Sequence, residues 1–78
     1  MTRQNLEQQA YEHILHLITT KILHDGDFIN QSYIATELNM SRTPIRNAIA
    51  RLAGEGKIRS LPRHGAFVRQ HNLTNTSL

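Results

Sequence analysis

Along the first third of the chain, apolar residues recur at the spacing of one helix face. Tyr11, Ile14, Leu15, Ile18 and Ile22 form a single stripe, which predicts a helix from about Gln9 to His24. Gly26 follows in a position suited to a left-handed helix stop, and Asp27-Phe28-Ile29 is long enough only for a brief extended strand. A second helix is expected from Asn30, a good N-cap, with Ile34, Ala35 and Leu38 on its buried face. It ends near Leu38, because Asn39-Met40-Ser41 reads as a tight connection. The third helix opens at Ser41, whose hydroxyl can cap free amides, and Pro44 sits in the first turn, where a missing N–H is harmless. Ile45, Ala48, Ile49 and Leu52 repeat at i, i+3, i+4 and i+7, and Gly54 and Gly56 mark the end.

Beyond Gly56 the period falls to two. Residues 57–61 and 66–69 read as short strands around Pro62-Arg63-His64-Gly65, a turn with a basic tip. The expected fold is therefore mainly α with a small β-hairpin: three helices and a two-stranded wing, a winged helix-turn-helix. Residues 1–8 are expected to be a flexible N-terminus, 9–69 the domain, and 70–78 a polar tail or the start of a linker.

With 78 residues there is material for one domain, burying about 60% of its unfolded surface. No cysteine is present, so disulfides and thiolate metal sites are excluded, which fits a reducing cytoplasm. No apolar run approaches the roughly 20 residues of a membrane helix. A cytoplasmic location without membrane attachment is the expectation.

The modest net charge of +3 conceals a polar distribution. In residues 1–39, Arg3 and Lys21 meet Glu7, Glu12, Asp25, Asp27 and Glu37. In residues 40–78, Arg42, Arg46, Arg51, Lys57, Arg59, Arg63 and Arg69 meet only Glu55. A cationic half of this kind is the footprint of a polyanion partner.

Two helices joined by a three-residue turn, the second rich in arginine, match a helix-turn-helix pattern. With Ile45 placed inward on a wheel of about 100° per residue, Thr43, Asn47, Ala50 and Gly54 fall on the opposite face, flanked by Arg46 and Arg51. That face is small, polar and cationic enough to enter a major groove about 12 Å wide. Arginine can grip guanine with two hydrogen bonds, and Asn47 can do the same to adenine; Ser41 can bond phosphate, and Thr43 can bond phosphate or touch a thymine methyl. Arg63 and His64 on the wing, with Gly65, can reach a minor groove or backbone. Tyr11 and Tyr33 are expected to be half-buried, although Tyr33 can also bond a phosphate. The candidate DNA-binding residues are thus Ser41, Arg42, Thr43, Arg46, Asn47, Arg51, Arg63, His64, Gly65 and Tyr33, with the recognition helix over about 41–55 and the wing over 57–69.

His13 and His16, at i and i+3, are read as surface histidines, and no metal site is expected. No catalytic constellation can be assembled, so the chain is not expected to be an enzyme. A protein-docking module is the competing class, since winged helices also serve as docking domains.

The stretch from Gly26 to Val68 resembles the DNA-binding domain of the GntR family of bacterial transcription regulators. The resemblance rests on Gly26-Asp27, on IATELNMSRTPIRNAIARLAGEGKI and on PRHGAFV. The TP pair and the PRHGAFV ending look most like the FadR-type branch. The resemblance implies three helices and a two-stranded wing, with an extra strand near Phe28. It implies DNA contacts from Ser41, Arg42, Thr43 and Arg46, and a wing whose His64 and Gly65 enter the minor groove. Asn47 stands where the family usually has Glu, which implies altered base preference, and Lys57 where Leu is common.

Family members normally carry a C-terminal domain that binds a small effector, in the FadR-type branch often a metal and a carboxylate, and forms the dimer. No cofactor is expected in this chain. The expectation is that it is the N-terminal part of a longer regulator, the alternative being a naturally short protein. The full regulator would bind a palindromic double-stranded operator as a homodimer, with operator position deciding repression or activation.

Overall fold

The computed structural model describes residues 5–69. The tail expected over 70–78 and the first four residues lie outside them. Helix α1 spans Leu6–Thr19, strand β1 Phe28–Ile29, helix α2 Gln31–Leu38, helix α3 Arg42–Gly54, strand β2 Ile58–Leu61 and strand β3 Gly65–Val68. The hairpin acquires β1 as a third, antiparallel strand in the order β1-β3-β2, with Phe28 opposite Phe67 and Ile29 opposite Ala66.

Helix α1 begins and ends earlier than its periodicity predicts. Asn5 caps it, its side chain accepting the Gln8 amide at 3.0 Å, so residues 6–8 belong to the helix and not to a flexible N-terminus. It ends at Thr19 with Thr20 as its C-cap, and Lys21 then takes the left-handed conformation (φ 67°). Ile22 is consequently off the helix and 62% exposed, outside the predicted stripe. Gly26, predicted as the helix stop, instead turns the chain into β1 at φ 85° and donates its amide to Val68 at 2.8 Å.

Asn30 caps α2 through the Tyr33 amide at 3.0 Å, as its sequence position predicts. The turn between α2 and α3 is made by Asn39 at φ 56°, a conformation asparagine tolerates better than most residues. Ser41 occupies the N-cap of α3 but makes no side-chain capping bond, contrary to expectation. Its extended backbone turns the chain into the helix, and its hydroxyl is left uncommitted.

The core gathers one face from every element. Ala10 and Ile14 of α1 meet Ile45, Ala48, Ile49 and Leu52 of α3, closed off by Ile29, Ile34, Ala35, Ile58, Ala66 and Val68. Burying α3 on four positions of one face leaves its opposite flank free by helical geometry alone. Alternation does the same for the sheet, with Ala66 and Val68 turned inward and Phe67 turned outward.

Candidate nucleic-acid interface

Five residues of α3 are buried: Pro44, Ile45, Ala48, Ile49 and Leu52. Arg42, Thr43, Arg46, Asn47 and Ala50 are exposed. On the helix wheel, Arg46, Ala50, Thr43 and Asn47 occupy a sector about 100° wide, opposite the buried stripe. Two of its four side chains are short, so a duplex can approach the helix closely. Neither Arg46 nor Asn47 has a side-chain hydrogen bond or ion pair among the described residues. Their donors are free for a ligand.

Arg42 is exposed but anchored. Its Nη1 donates to Ser32 Oγ on α2 at 3.0 Å, tying the first turn of α3 to the first turn of α2. A cationic guanidinium is thereby fixed at the edge of the α3 flank, with donors left over for an incoming anion. Nothing in the local sequence marks Ser32 for this role, because a contact across ten residues leaves no periodic signal.

Arg51 does not belong to this flank. Its guanidinium lies over the Tyr11 ring, 4.1 Å from the centroid. It donates to Gln8 Oε1 at 3.0 Å and approaches Glu7 Oε2 at 3.5 Å. The wheel places it about 240° from Ile45, on the side where α1 packs. Arg51, expected among the DNA-binding residues, is thus engaged in joining α1 to α3. Tyr11 completes the junction by donating its hydroxyl to Glu55 Oε1 at 2.6 Å, and Lys57 Nζ lies 3.7 Å from the same carboxylate oxygen. This hydrogen bond to Glu55 is the main reason the Tyr11 phenol pKa is raised, with desolvation and the carboxylate charge adding and Arg51 opposing.

The wing pairs Leu61 with Gly65 around a three-residue tip, Pro62, Arg63 and His64. The His64 amide donates to the Leu61 carbonyl at 3.1 Å, and Arg63 sits at φ 68°. Proline first and a positive φ second are the signature of a type II turn, whose second position favours glycine. Here an arginine occupies it, so the strained residue is also the charged one at the exposed tip. Gly65 has φ 101°, and a Cβ added there would stand 2.7 Å from Phe28 Cε1.

Tyr33 is 62% exposed, not half-buried as expected, and lines an apolar hollow with Ile22, Leu23 and Phe28. It is not part of the α3 flank. His13 lies 3.3 Å from Glu37, and among the described residues no group of three metal-ligating side chains assembles.

The carboxylates are drawn away from the exposed α3 flank. Glu7 is near Arg51, Glu55 near Lys57, Glu37 near His13 and Asp27 near His24. Arg46 and Arg63 have no carboxylate within ion-pair distance among the described residues. What remains is a convex, cationic ridge formed by α3, with a cationic tip beyond it: a shape suited to a grooved polyanion.

The family described as bacterial regulatory proteins, gntR family, matches residues 6–68. An HTH-type transcriptional regulator of Mycobacterium tuberculosis (strain CDC 1551 / Oshkosh) is 33% identical over 67 residues, covering 86% of this chain and 28% of that protein. The HTH-type transcriptional repressor RspR of Escherichia coli (strain K12) is 28% identical over 70 residues, 90% of this chain and 31% of its own length. The chain thus spans under a third of the length of either relative. Among solved structures, one described as Lar controlling expression of the Listeria monocytogenes agr system superposes with a TM-score of 0.80 at 26% identity, over 90% of this chain and 33% of that one. The N-terminal domain of AraR, solved in complex with mutant ORR3, gives 0.75 at 25% identity over 87% of this chain and 99% of its own.

Proposed function

The chain belongs to the gntR family of bacterial regulatory proteins, DNA-binding regulators of the helix-turn-helix type, and from that premise we propose how it reads an operator. Helix α3 enters the major groove of double-stranded DNA on its Thr43–Arg46–Asn47–Ala50 flank. Ser41, Thr43 and Arg42 hold phosphates and set register, while Arg46 and Asn47 distinguish bases. Arg63 and His64 bring the wing tip to the adjacent minor groove or backbone, where narrow-groove potential favours arginine. The single observation carrying this reading is that Arg46 and Asn47 are exposed on the free flank with every donor uncommitted among the described residues.

Several finer features belong to the same proposal. The TP pair and the PRHGAFV wing favour the FadR-type branch. One domain offers too few contacts for tight binding, so the working regulator is a homodimer on a palindromic operator, with the remaining length of the relatives supplying dimerisation and effector binding. The site has the chemistry of a binding surface and not of an enzyme, and the protein acts in the cytoplasm, where its operator is.

Selection of bound duplexes from a randomised pool tests the reading. The expected result is an enriched half-site, bound with a log–log salt slope near −4 if each domain neutralises about four or five phosphates. A pool that returns no enriched sequence, bound with no salt dependence, would refute it and favour a protein-docking role.

A further inference from the structure

Phe28 is a large aromatic residue on a strand of two residues, and 54% of its surface is exposed. Its ring nevertheless has two close neighbours. It packs edge-to-face on Phe67, with centroids 5.6 Å apart at 62°. It also presses on Gly65 so closely that the glycine backbone serves as its seat: a Cβ there would lie 2.7 Å from the ring. Gly65 is the first residue of β3 and pairs with Leu61, so it marks the point where the sheet gives way to the Pro62–His64 tip.

This arrangement has a mechanical consequence. Beyond the β1 pairings at Phe67 and Ala66, the tip extends as a two-stranded ribbon, paired only through Leu61 and Gly65, and two-stranded ribbons twist more than wider sheets. Ala66 and Val68 hold the inner face of β3 in the core. On its other side, Gly65 meets the Phe28 ring where a side chain would otherwise stand. Phe28, Gly65 and Arg42 also line one cleft of about 270 Å³, with Asn30 and Ser32, so the ring, the wing base and the anchored arginine of α3 border the same space.

We propose that Phe28 is the positioning residue of the wing: its ring, seated on Gly65, sets the angle at which Arg63 and His64 meet DNA relative to α3. The inference rests on the wing contact proposed above. Phe28 acts through Gly65 and need not touch DNA itself.

The test uses the 78-residue chain and the duplex it enriches from a randomised pool, with affinity measured against salt concentration. Arg63→Ala should flatten the log–log salt slope by about 1, the signature of one lost phosphate contact. Phe28→Ala should cause the same loss, and adding Arg63→Ala to it should cause no more, because a misdirected wing has no contact left to lose. Phe28→Tyr, which keeps the ring, should behave as wild type. Phe28→Leu, apolar but ringless, carries the same test should the alanine variant unfold. If Arg63→Ala flattens the slope as much without the ring as with it, Phe28 does not position the wing, although the wing contact stands. If Arg63→Ala leaves the slope unchanged in the chain with Phe28 intact, the wing contact itself fails and the proposal falls with it.

Discussion

Replacing Arg51 by alanine separates a structural arginine from a DNA-reading one. Three interactions are lost together: the cation–π contact with Tyr11, the hydrogen bond to Gln8 and the ion pair with Glu7. An exposed cation–π contact is worth about 0.5–1 kcal/mol. The ion pair joins side chains 39% and 37% exposed, so solvent screening holds it near the low end of about 0.2–1 kcal/mol. These contributions share one guanidinium and do not add fully, which makes about 1 kcal/mol the expected loss of stability. For a domain of this size that lowers the thermal midpoint by roughly 4–8 °C. The melt is followed by circular dichroism, and DNA affinity is titrated over a salt series. Because the cation–π contact does not depend on Glu7, most of the shift should persist in high salt. The base preference and salt slope of DNA binding should be unchanged. A variant that melts like wild type while losing about one unit of salt slope would show that Arg51 reaches a phosphate, and would refute the assignment.

Other perturbations probe the rest of the structure. Leu52→Ala, at a fully buried position facing α1, should cost about 2.7–5 kcal/mol. That is a large share of the roughly 4–12 kcal/mol expected for a chain of this length, so a variant melting within a few degrees of wild type would contradict the described core. The Tyr11 phenol is held above its ordinary value of 10 by its hydrogen bond to Glu55. The native state therefore favours the protonated hydroxyl, and this stabilisation is present below pH 10 and lost as pH rises through the folded value. In alkaline melts Tyr11→Phe should lack that part of the decline, and parallel pH profiles would contradict the bond. Gly65→Ala meets both a φ of 101° and the Phe28 ring, and should lose about 1–3 kcal/mol; an unchanged midpoint would mean the ring is not seated there.

What was legible in the sequence was what repeats locally. The buried face of α3, the Asn30 cap and the hairpin around Pro62-Arg63-His64 follow from periodicity and turn chemistry within a few residues. The free flank of α3 follows as the complement of its buried face. Two kinds of feature escape such patterns: a backbone conformation that no side chain signals, and a contact between residues far apart in the chain. Ile22 continues the periodicity of α1, but Lys21 has already turned the chain in the left-handed conformation, a choice its side chain does not advertise. Arg51 looks like another cation on the recognition helix until Tyr11 and Gln8, some forty residues away, claim it. The same holds for Ser32 beside Arg42 and for Phe28 against Gly65. No local spacing encodes those pairs; they exist only once the helices and sheet have packed.

Arg46 gives the sharpest test of a groove-reading helix. Arg46→Ala is titrated against the duplex enriched by the parent chain and against a duplex of unrelated sequence. The account predicts a loss of about 1–3 kcal/mol on the enriched duplex, roughly 5- to 150-fold in affinity, and a much smaller loss on the unrelated one. Equal losses on the two duplexes would contradict it, because the side chain would then be holding backbone charge without reading a base.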